Sequence, residues 1–445
     1  QGYSSAASDV YKRQVPYCED LWVPGYFQVN IKKGESIIFS AGLSEVSTRS
    51  LHKMYENEIA SRTARTSFFN CLKNSAKQLY LKRGDHEYML SGYPWGTILA
   101  RNTFMSLPGN TIAIDHRDDF EEIMGTAVMA LYRFMADGHI SRTIHGIDLP
   151  DIPWWAIWAI QQYAKNYGRE AAAGRYSQIV TDLIDFTLAG RHPRLQLQES
   201  GMLSTDGTMQ PASWMNSTWD GRPVVPRTGL LVELNALWYN ALLFAADLLE
   251  GNPDLAERRE AYIATAEKMK QTFIDTFLND YGYLYDYVNG SYADPSVRPS
   301  MAIAIGLDYS PLDRRQRKGV LDVVTRELLT PKGLRTLSPK SYGYRPFYLG
   351  SPYDREMAMH NGPSRPWLMG FYADAYLKVF GRSGVSYIDR MLIGFEEEMS
   401  QGCIGSLSQL YDGNPPFSGR GAISHGTNIA EVLRTLRTLR RFDHD

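Results

Sequence analysis

Apolar residues recur at helical spacing over most of the chain, and the segments between them are rich in glycine, proline and aromatic residues. The central predicted helix begins near Leu230, after Pro223 and Pro226, with the run LLVELNALWYNALLFA. Glu233 falls in its first turn, where the helix dipole favours a carboxylate. Further helices are predicted at residues 50–61, 67–81, 104–114, 119–135, 152–167, 176–188, 254–277, 300–305, 312–329, 366–379, 387–399 and 428–439.

These helices follow one another without the strand–helix alternation of a parallel sheet and without a repeat of fixed period. The pattern therefore predicts a mainly α fold. Consecutive helices joined by long loops favour helix hairpins that close into a toroid. A helix bundle and a solenoid are the alternatives that the pattern leaves open.

The first part of the chain has a different pattern. Residues 1–16 show no apolar periodicity and predict an unstructured tail, which a foreign origin would explain. Residues 17–46 contain two alternating segments around Lys33-Gly34 and predict a β-hairpin, the remnant of a β domain. A lone hairpin is marginally stable, so we expect the N-terminal β domain of the full-length protein to be missing here. Residues 47–80 are predicted linker helices, and residues 81–445 form the helical domain.

Composition excludes several classes of function. The formal net charge of −2 provides no field for nucleic acid or an anionic membrane, and no apolar run reaches the ~20 residues of a membrane span. Cys18, Cys71 and Cys403 show no metal-ligand spacing, so neither a metal nor another cofactor is predicted. The 9 tryptophans and 28 tyrosines suit stacking against sugar rings, although a core rich in aromatic residues explains part of this excess.

Polar and aromatic loops lie at the predicted helix–helix junctions. Each loop alone is weak evidence, because such loops are common connectors. Together they predict one shared pocket. The loops span residues 92–103, 148–155, 213–233, 291–301, 360–367 and 406–416.

The order of several motifs resembles that in the archaeal and bacterial type of glycogen debranching enzyme, in its C-terminal amylo-α-1,6-glucosidase domain. The motifs are GYPW, ARNTF, SWMN, GRPVVPRTG, VELNALWYNAL, ELLTPKGLRTLSP, MHNGPSRPW and GSLSQLYDGNPP. This resemblance covers residues from about 81 to 440 and implies an (α/α)6 barrel at 81–445, preceded by the end of a β-sandwich domain. It also implies inverting hydrolysis of α-1,6-linked branch glucose in glycogen or branched α-glucan, in the cytoplasm and without a cofactor.

Inverting hydrolysis needs a carboxylic acid and a carboxylate base on opposite sides of the anomeric carbon. The resemblance places the acid at position 216, the base at position 409 and a third acidic residue at position 102. This chain has Asn216, Gln409 and Asn102 there. An amide neither donates a proton as an acid nor accepts one as a base at neutral pH.

Three explanations of these amides stay open. First, another carboxylate acts: Glu233 matches an acidic position of the family motif and is expected to face the pocket. Acids in neighbouring loops are further candidates, namely Asp148, Asp151, Asp220 and Asp412. Second, the barrel binds α-glucan without cleaving it, or another domain carries the activity. Third, the sequence contains errors or deliberate substitutions.

The resemblance also implies residues that contact the glucan. They are Tyr93, Trp95, Arg101, Asn102, Trp154, Trp214, Arg227, His360, Asn361 and Trp367. A structural histidine is the alternative for His360, and an ion pair that anchors a loop is the alternative for Arg227. The family pattern Val-Trp-Pro-Trp reads here as Ser364-Arg365-Pro366-Trp367, so an arginine replaces one aromatic residue of the pocket.

Overall fold

The computed structural model describes residues 22–42 and 44–444, so the predicted tail at 1–16 and the start of the predicted β segment lie outside these ranges. In the described part of that segment, the turn at Lys33-Gly34 forms, and the Glu35 N–H donates to the Lys32 carbonyl at 3.0 Å. Neither of the two predicted strands forms within residues 22–42, so this prediction is wrong there. The segment is exposed and packs on no sheet, so water competes for its backbone groups.

The helices confirm the predicted pattern, with ends that shift by up to seven residues. They are α1 (Leu51–Ser61), α2 (Phe68–Lys77), α3 (Ala100–Asn110), α4 (Arg117–Asp137), α5 (Ile152–Tyr167), α6 (Arg169–Leu188), α7 (Val232–Leu248), α8 (Ala256–Phe277), α9 (Ser300–Gly306), α10 (Arg314–Leu328), α11 (Pro352–Ala358), α12 (Leu368–Phe380), α13 (Val385–Ile393) and α14 (Gly426–His444). The short α11 is absent from the sequence prediction. Over the described ranges, no helix combines the length and apolar character that crossing a bilayer requires.

Two concentric layers of helices form an (α/α)6 barrel, which confirms the predicted fold class. In the inner layer, α3, α5, α7, α9, α12 and α14 pack side by side, and α14 closes the ring against α3. Each of the outer helices α4, α6, α8, α10 and α13 follows an inner helix, and α2 packs on α14. Nearly every residue of α7 is buried, as expected of a helix enclosed by others.

The connections differ in length between the two ends of the barrel. From an inner helix to the next outer helix they are short, and Gly168 alone joins α5 to α6. From an outer helix to the next inner helix they are long, as in residues 189–231 before α7 and residues 329–367 before α12. The long loops therefore gather over the N-termini of the inner helices, which gives this end of the barrel room for a site.

Short antiparallel strands join these loops. They are β1 (Tyr80–Arg83), β2 (His86–Met89), β3 (Gly92–Tyr93), β4 (Gln196–Leu197), β5 (Leu203–Thr205), β6 (Thr218–Trp219), β7 (Arg222–Pro223), β8 (Gly229–Leu231), β9 (Tyr287–Asn289), β10 (Tyr292–Ala293), β11 (Leu329–Thr330), β12 (Gly333–Arg335), β13 (Ser364–Arg365), β14 (Leu410–Tyr411), β15 (Gly419–Arg420) and β16 (Ser424–His425). The larger sheets have the orders β10-β9-β8-β5-β4 and β11-β12-β13-β14-β15, and the pairs β1–β2, β3–β16 and β6–β7 are separate.

The pairing of β3 with β16 joins the first loop of the barrel to the last. Gly92 lies opposite His425, and Tyr93 lies opposite Ser424. A Cβ at position 92 would lie 2.4 Å from the Ser424 carbonyl oxygen, so only glycine allows this approach. The contact brings residues before α3 and before α14 to the same wall of the barrel mouth.

Candidate active site

A cavity of about 260 Å³ opens at the end of the barrel where the long loops meet. The predicted loops at 92–103, 213–233, 360–367 and 406–416 line it, whereas those at 148–155 and 291–301 contribute no lining residue. The residues predicted for the site that line it are Trp95, Arg101, Asn102, Trp214, Asn216, His360, Trp367 and Gln409. The predicted residues outside its lining are Tyr93, Trp154, Arg227, Glu233 and Asn361.

Glu233 does not face the cavity but is held by Arg227 inside the protein. The guanidinium of Arg227 lies 2.7 Å from Oε2 of Glu233 and 2.7 Å from Oδ2 of Asp286, and all three side chains are buried. Burial opposes the charge of Glu233, but Arg227 outweighs it and lowers the pKa of that carboxyl. This network anchors the loop before α7 to the residue that precedes β9. Arg227 therefore forms the loop-anchoring ion pair that was the alternative to a contact with the glucan.

Three other residues predicted for the site make structural contacts outside the cavity lining. The Tyr93 hydroxyl donates to the Gln78 carbonyl at 2.7 Å. Trp154 is buried in the barrel, with its ring centroid 4.6 Å from that of Trp238. Asn361 accepts a hydrogen bond from Arg298 at 3.0 Å and donates one to the Met357 carbonyl at 2.8 Å. These contacts explain why residues next to the site in sequence do not line it.

His360, Trp214 and Trp367 form the aromatic part of the cavity wall. The Trp214 ring lies edge-on to His360 and to Trp367, with centroid distances of 5.4 Å in both cases. Nε1 of Trp214 donates to Ser300 at 3.2 Å, which fixes the indole in this orientation. Burial and the nearby cation of Arg365 lower the pKa of His360 well below its ordinary value, so the imidazole is neutral at pH 7.

Arg101 reaches the cavity from the first turn of α3, but its charge is balanced. Its Nε and Nη2 atoms donate to the two carboxylate oxygens of Asp151 at 2.7 and 2.8 Å. Nε1 of Trp155 donates to the same carboxylate at 3.0 Å. This bidentate pair is a rigid neutral unit, and it leaves Asp151 no free oxygen for proton transfer.

Gln409 is held by backbone contacts at the position implied for the base. Its Oε1 accepts a hydrogen bond from the Ala422 N–H at 3.1 Å. Asn428, in the first turn of α14, donates to the Gln409 carbonyl at 3.0 Å and accepts from the Trp367 N–H at 3.1 Å. A glutamate oxygen fits the place of Oε1, because it would accept the same bond.

Sequence reasoning missed other lining residues, among them His425 and Thr427, whereas Arg365 lines the cavity as its place in the pocket motif predicts. Nδ1 of His425 lies 2.9 Å from Oγ1 of Thr427. His425 directly precedes α14, and Thr427 lies in the first turn of that helix. Their position at a loop–helix junction is the same signal that indicated the other loops. Burial and Arg365 lower the pKa of His425 to about 3, so it is neutral as well.

Acidic residues are absent from the lining of this cavity within the described part of the chain. Asp412 is buried and paired with Arg420 at 2.8 Å, and neither Asp148 nor Asp220 lines the cavity. A further carboxylate close to the wall belongs to Glu356 on α11, whose Oε2 accepts a hydrogen bond from Ser217 at 2.5 Å. The wall therefore offers amides, cations and aromatic rings but no carboxyl pair.

Comparison with known proteins identifies the same region. The sequence profile of the family described as Amylo-alpha-1,6-glucosidase matches residues 73–434. The glycogen debranching enzyme of Saccharomyces cerevisiae is 24% identical over 251 residues, which make up 47% of this chain and 16% of that protein. The chain thus spans about a sixth of the curated relative that it matches.

Solved structures with the same fold are distant in sequence. A bacterial glucoamylase complexed with acarbose superposes with a TM-score of 0.58 at 14% identity, covering 90% of this chain and 60% of that one. A GH63 mannosylglycerate hydrolase from Thermus thermophilus, in complex with Tris and D-glycerate, gives 0.59 at 12% identity and covers 84% and 100%. At such identities the likeness establishes the (α/α)6 fold alone.

Proposed function

Because this chain belongs to the amylo-alpha-1,6-glucosidase family, we propose that its cavity binds a terminal glucosyl residue of glycogen or a similar branched α-glucan without hydrolysing it. One observation carries this proposal. The described residues that line the cavity include neither aspartate nor glutamate, and they include amides at the three positions where the resemblance predicts acids. Membership of the family indicates an α-glucan as the ligand. Without carboxylates in the lining, the cavity lacks the groups that hydrolysis requires.

The chemical reason is the requirement of inverting hydrolysis for two carboxyl groups ~6.5–9.5 Å apart. One protonates the leaving oxygen and the other activates water, and an amide does neither. Asn216 and Gln409 keep the size and the hydrogen-bonding capacity of Asp and Glu. A cavity of this kind retains polar contacts for sugar hydroxyls but lacks the carboxyl pair that moves the protons.

Binding is supported by the rest of the wall. Trp95 stands at the rim with 45% of its surface exposed, and Trp214 and Trp367 lie deeper with their rings fixed by neighbours. Indole faces stack on the C–H faces of sugars, and their edges donate hydrogen bonds. The volume of about 260 Å³ lies just below the range of ~300–1,000 Å³ that is usual for small-molecule sites, which suits one sugar residue rather than a long chain segment. In this proposal the domain works in the cytoplasm, and another part of the full protein performs any hydrolysis.

The test measures glucose release from a phosphorylase-limit dextrin and, in parallel, calorimetric binding of the same dextrin. We expect saturable binding and no release above the buffer blank. Unbranched maltodextrin serves as the comparison for branch preference. Release that disappears in Glu356→Gln would overturn the proposal, because it would identify a working carboxylate close to the cavity.

A further inference from the structure

Among the described residues, Arg365 is a buried cation without an ion-pair partner. It lies on β13, lines the cavity and is 6% exposed. Its guanidinium donates two long hydrogen bonds to main-chain carbonyls, to Gln409 at 3.4 Å and to Met359 at 3.3 Å. Its Nε is buried and has no hydrogen-bond partner. A buried charge is costly unless it is paired, so this side chain calls for an explanation.

The other titratable groups that line the cavity do not compensate for Arg365. Arg101 and Asp151 are committed to each other by two short hydrogen bonds, so that pair is neutral as a unit. The side chains of His360 and His425 are neutral at pH 7, for the reasons given above. The lining itself therefore supplies no anion for the guanidinium.

Glu356 is the acid that acts on Arg365 from outside the lining. Its charge favours the guanidinium, but its Oε2 is occupied by the hydrogen bond from Ser217. Burial outweighs this attraction and lowers the pKa of Arg365 to about 10, so the guanidinium still carries a full charge at pH 7. The cavity wall thus presents a positive charge that no carboxylate within residues 22–42 and 44–444 contacts.

The sequence changes at the wall act in the same electrostatic direction. Relative to the family motifs implied by the resemblance, Asn102 and Gln409 each replace a carboxylate and Asn216 replaces an acid that could ionise. Arg365 adds a positive charge where those motifs have tryptophan. A neutral glucan needs none of these changes to bind, and losing the acids alone would abolish hydrolysis. An anionic ligand benefits from each of them, because each removes repulsion or adds attraction.

We propose that the sugar residue that enters this cavity carries an anionic group, a phosphate ester or a carboxylate, and that Arg365 binds it. The inference rests on the proposed function, since it specifies which glucan terminus the cavity selects. A guanidinium presents parallel N–H donors that match phosphate and carboxylate oxygens, and its unpartnered Nε is the donor available for such an oxygen. Arg365 is thus a specificity-determining residue.

The experiment compares three probes by calorimetry at low and moderate salt. They are maltotriose, maltotriose with a 6-phosphate on its non-reducing residue, and maltotriose oxidised to a uronic acid at that residue. We expect at least one anionic probe to bind about tenfold or more tightly than maltotriose, with a preference that shrinks as salt rises. The probe that binds more tightly decides between phosphate and carboxylate.

Variants test whether Arg365 is responsible. Arg365→Gln keeps a donor for the Gln409 and Met359 carbonyls, and it should abolish the preference, measured as the ratio of the affinity for the anionic probe to that for maltotriose. Arg365→Lys keeps the charge and should retain part of the preference. Arg222→Gln, at an exposed position on β7, is the matched control for a change of surface charge and should change nothing.

The outcomes separate this inference from the proposed function. Equal affinity of the unmodified protein for all three probes would overturn the role of Arg365 and leave glucan binding intact, whether or not the variants fold. Binding of none of the probes would overturn both proposals. Binding of inorganic phosphate as tightly as the phosphorylated probe would overturn the inference, because the sugar would then contribute nothing.

Discussion

The backbone N–H of Asn216 donates a hydrogen bond to Nε2 of His360 across 3.1 Å. The histidine therefore accepts at Nε2 and carries its proton on Nδ1, in agreement with its lowered pKa. Trp214 packs against the same imidazole ring, so the loop before α7 is fixed against the loop before α12. The Asn216 side chain is exposed at the cavity, at the position where the resemblance predicts the acid.

This anchoring predicts that hydrolysis is recoverable. In the double variant Asn216→Asp with Gln409→Glu, both carboxyls should occupy the existing amide positions, and the Ala422 N–H should hold the new glutamate. Glucose release from limit dextrin should rise by ~10² or more, because each acid–base group contributes ~10²–10⁴-fold. Each single variant should gain far less, since the reaction needs both groups.

The matched control for that experiment changes the same residue types at exposed positions. Gln28→Glu with Asn57→Asp adds the same charge at exposed positions outside the cavity lining and should release no glucose. If the folded double variant at 216 and 409 stays as inactive as this control, the amides are not what prevents hydrolysis.

Glu233→Gln should reduce stability rather than glucan affinity. The exchange removes the negative charge of Glu233 from the Arg227 guanidinium, which retains its ion pair with Asp286. Breaking a buried ion pair lowers the free energy of unfolding by about 3–5 kcal/mol. Denaturant unfolding should show this loss, while calorimetry on the folded variant should give an unchanged Kd for dextrin. An unchanged free energy of unfolding together with weaker dextrin binding would contradict this prediction and indicate that Glu233 contacts the sugar.

Trp95→Ala should weaken glucan binding by about tenfold. Trp95 is the lining tryptophan with the largest exposed surface, and a sugar stacked on it would cover that surface, worth about 1.5–3 kcal/mol for a large side chain. Trp22→Ala, at a residue with 86% exposure outside the barrel, is the control. Equal affinities of the two variants would exclude Trp95 as a stacking surface.

The protein should lose stability below pH 6.5 partly through His192. This side chain is buried between Phe134 and Phe186, and its Nδ1 accepts the Arg194 N–H at 3.2 Å. Burial and then Arg194 lower its pKa to about 4. The unfolded chain therefore takes up the proton first as the pH falls, and stability is lost from pH 6.5 towards pH 4.

The expected contribution of His192 is about 2 kcal/mol by pH 5. His192→Asn keeps an acceptor but does not titrate, so its melting temperature should fall less between pH 7 and pH 5 than that of the unmodified protein. His139→Asn, at an exposed histidine, should follow the unmodified protein. The same fall in all three proteins would contradict a role for His192.

Much of the fold was predictable because helical periodicity is local. The apolar run from Val232 to Leu248 gives a buried inner helix, and the spacing in the other segments gives the remaining helices except α11, with ends that differ by at most seven residues. The two strands predicted around Lys33-Gly34, at residues 26–31 and 36–40, do not form, for a related reason. Alternation predicts a strand only where a second sheet covers its apolar face, and that partner is a tertiary feature.

The sequence alone determined most of the succession of helices, four of the six loops predicted to line the cavity and the amides at 102, 216 and 409. Only the tertiary structure decided which charged side chains are compensated. Glu233 stands at the predicted place in its helix, but Arg227 and the distant Asp286 hold it away from the cavity. Arg365 lies among loops whose described residues place no acid in the cavity lining. The local sequence pattern determines the position of a residue on its helix or loop. Its ion-pair partners come from distant segments, which only the closed barrel brings together.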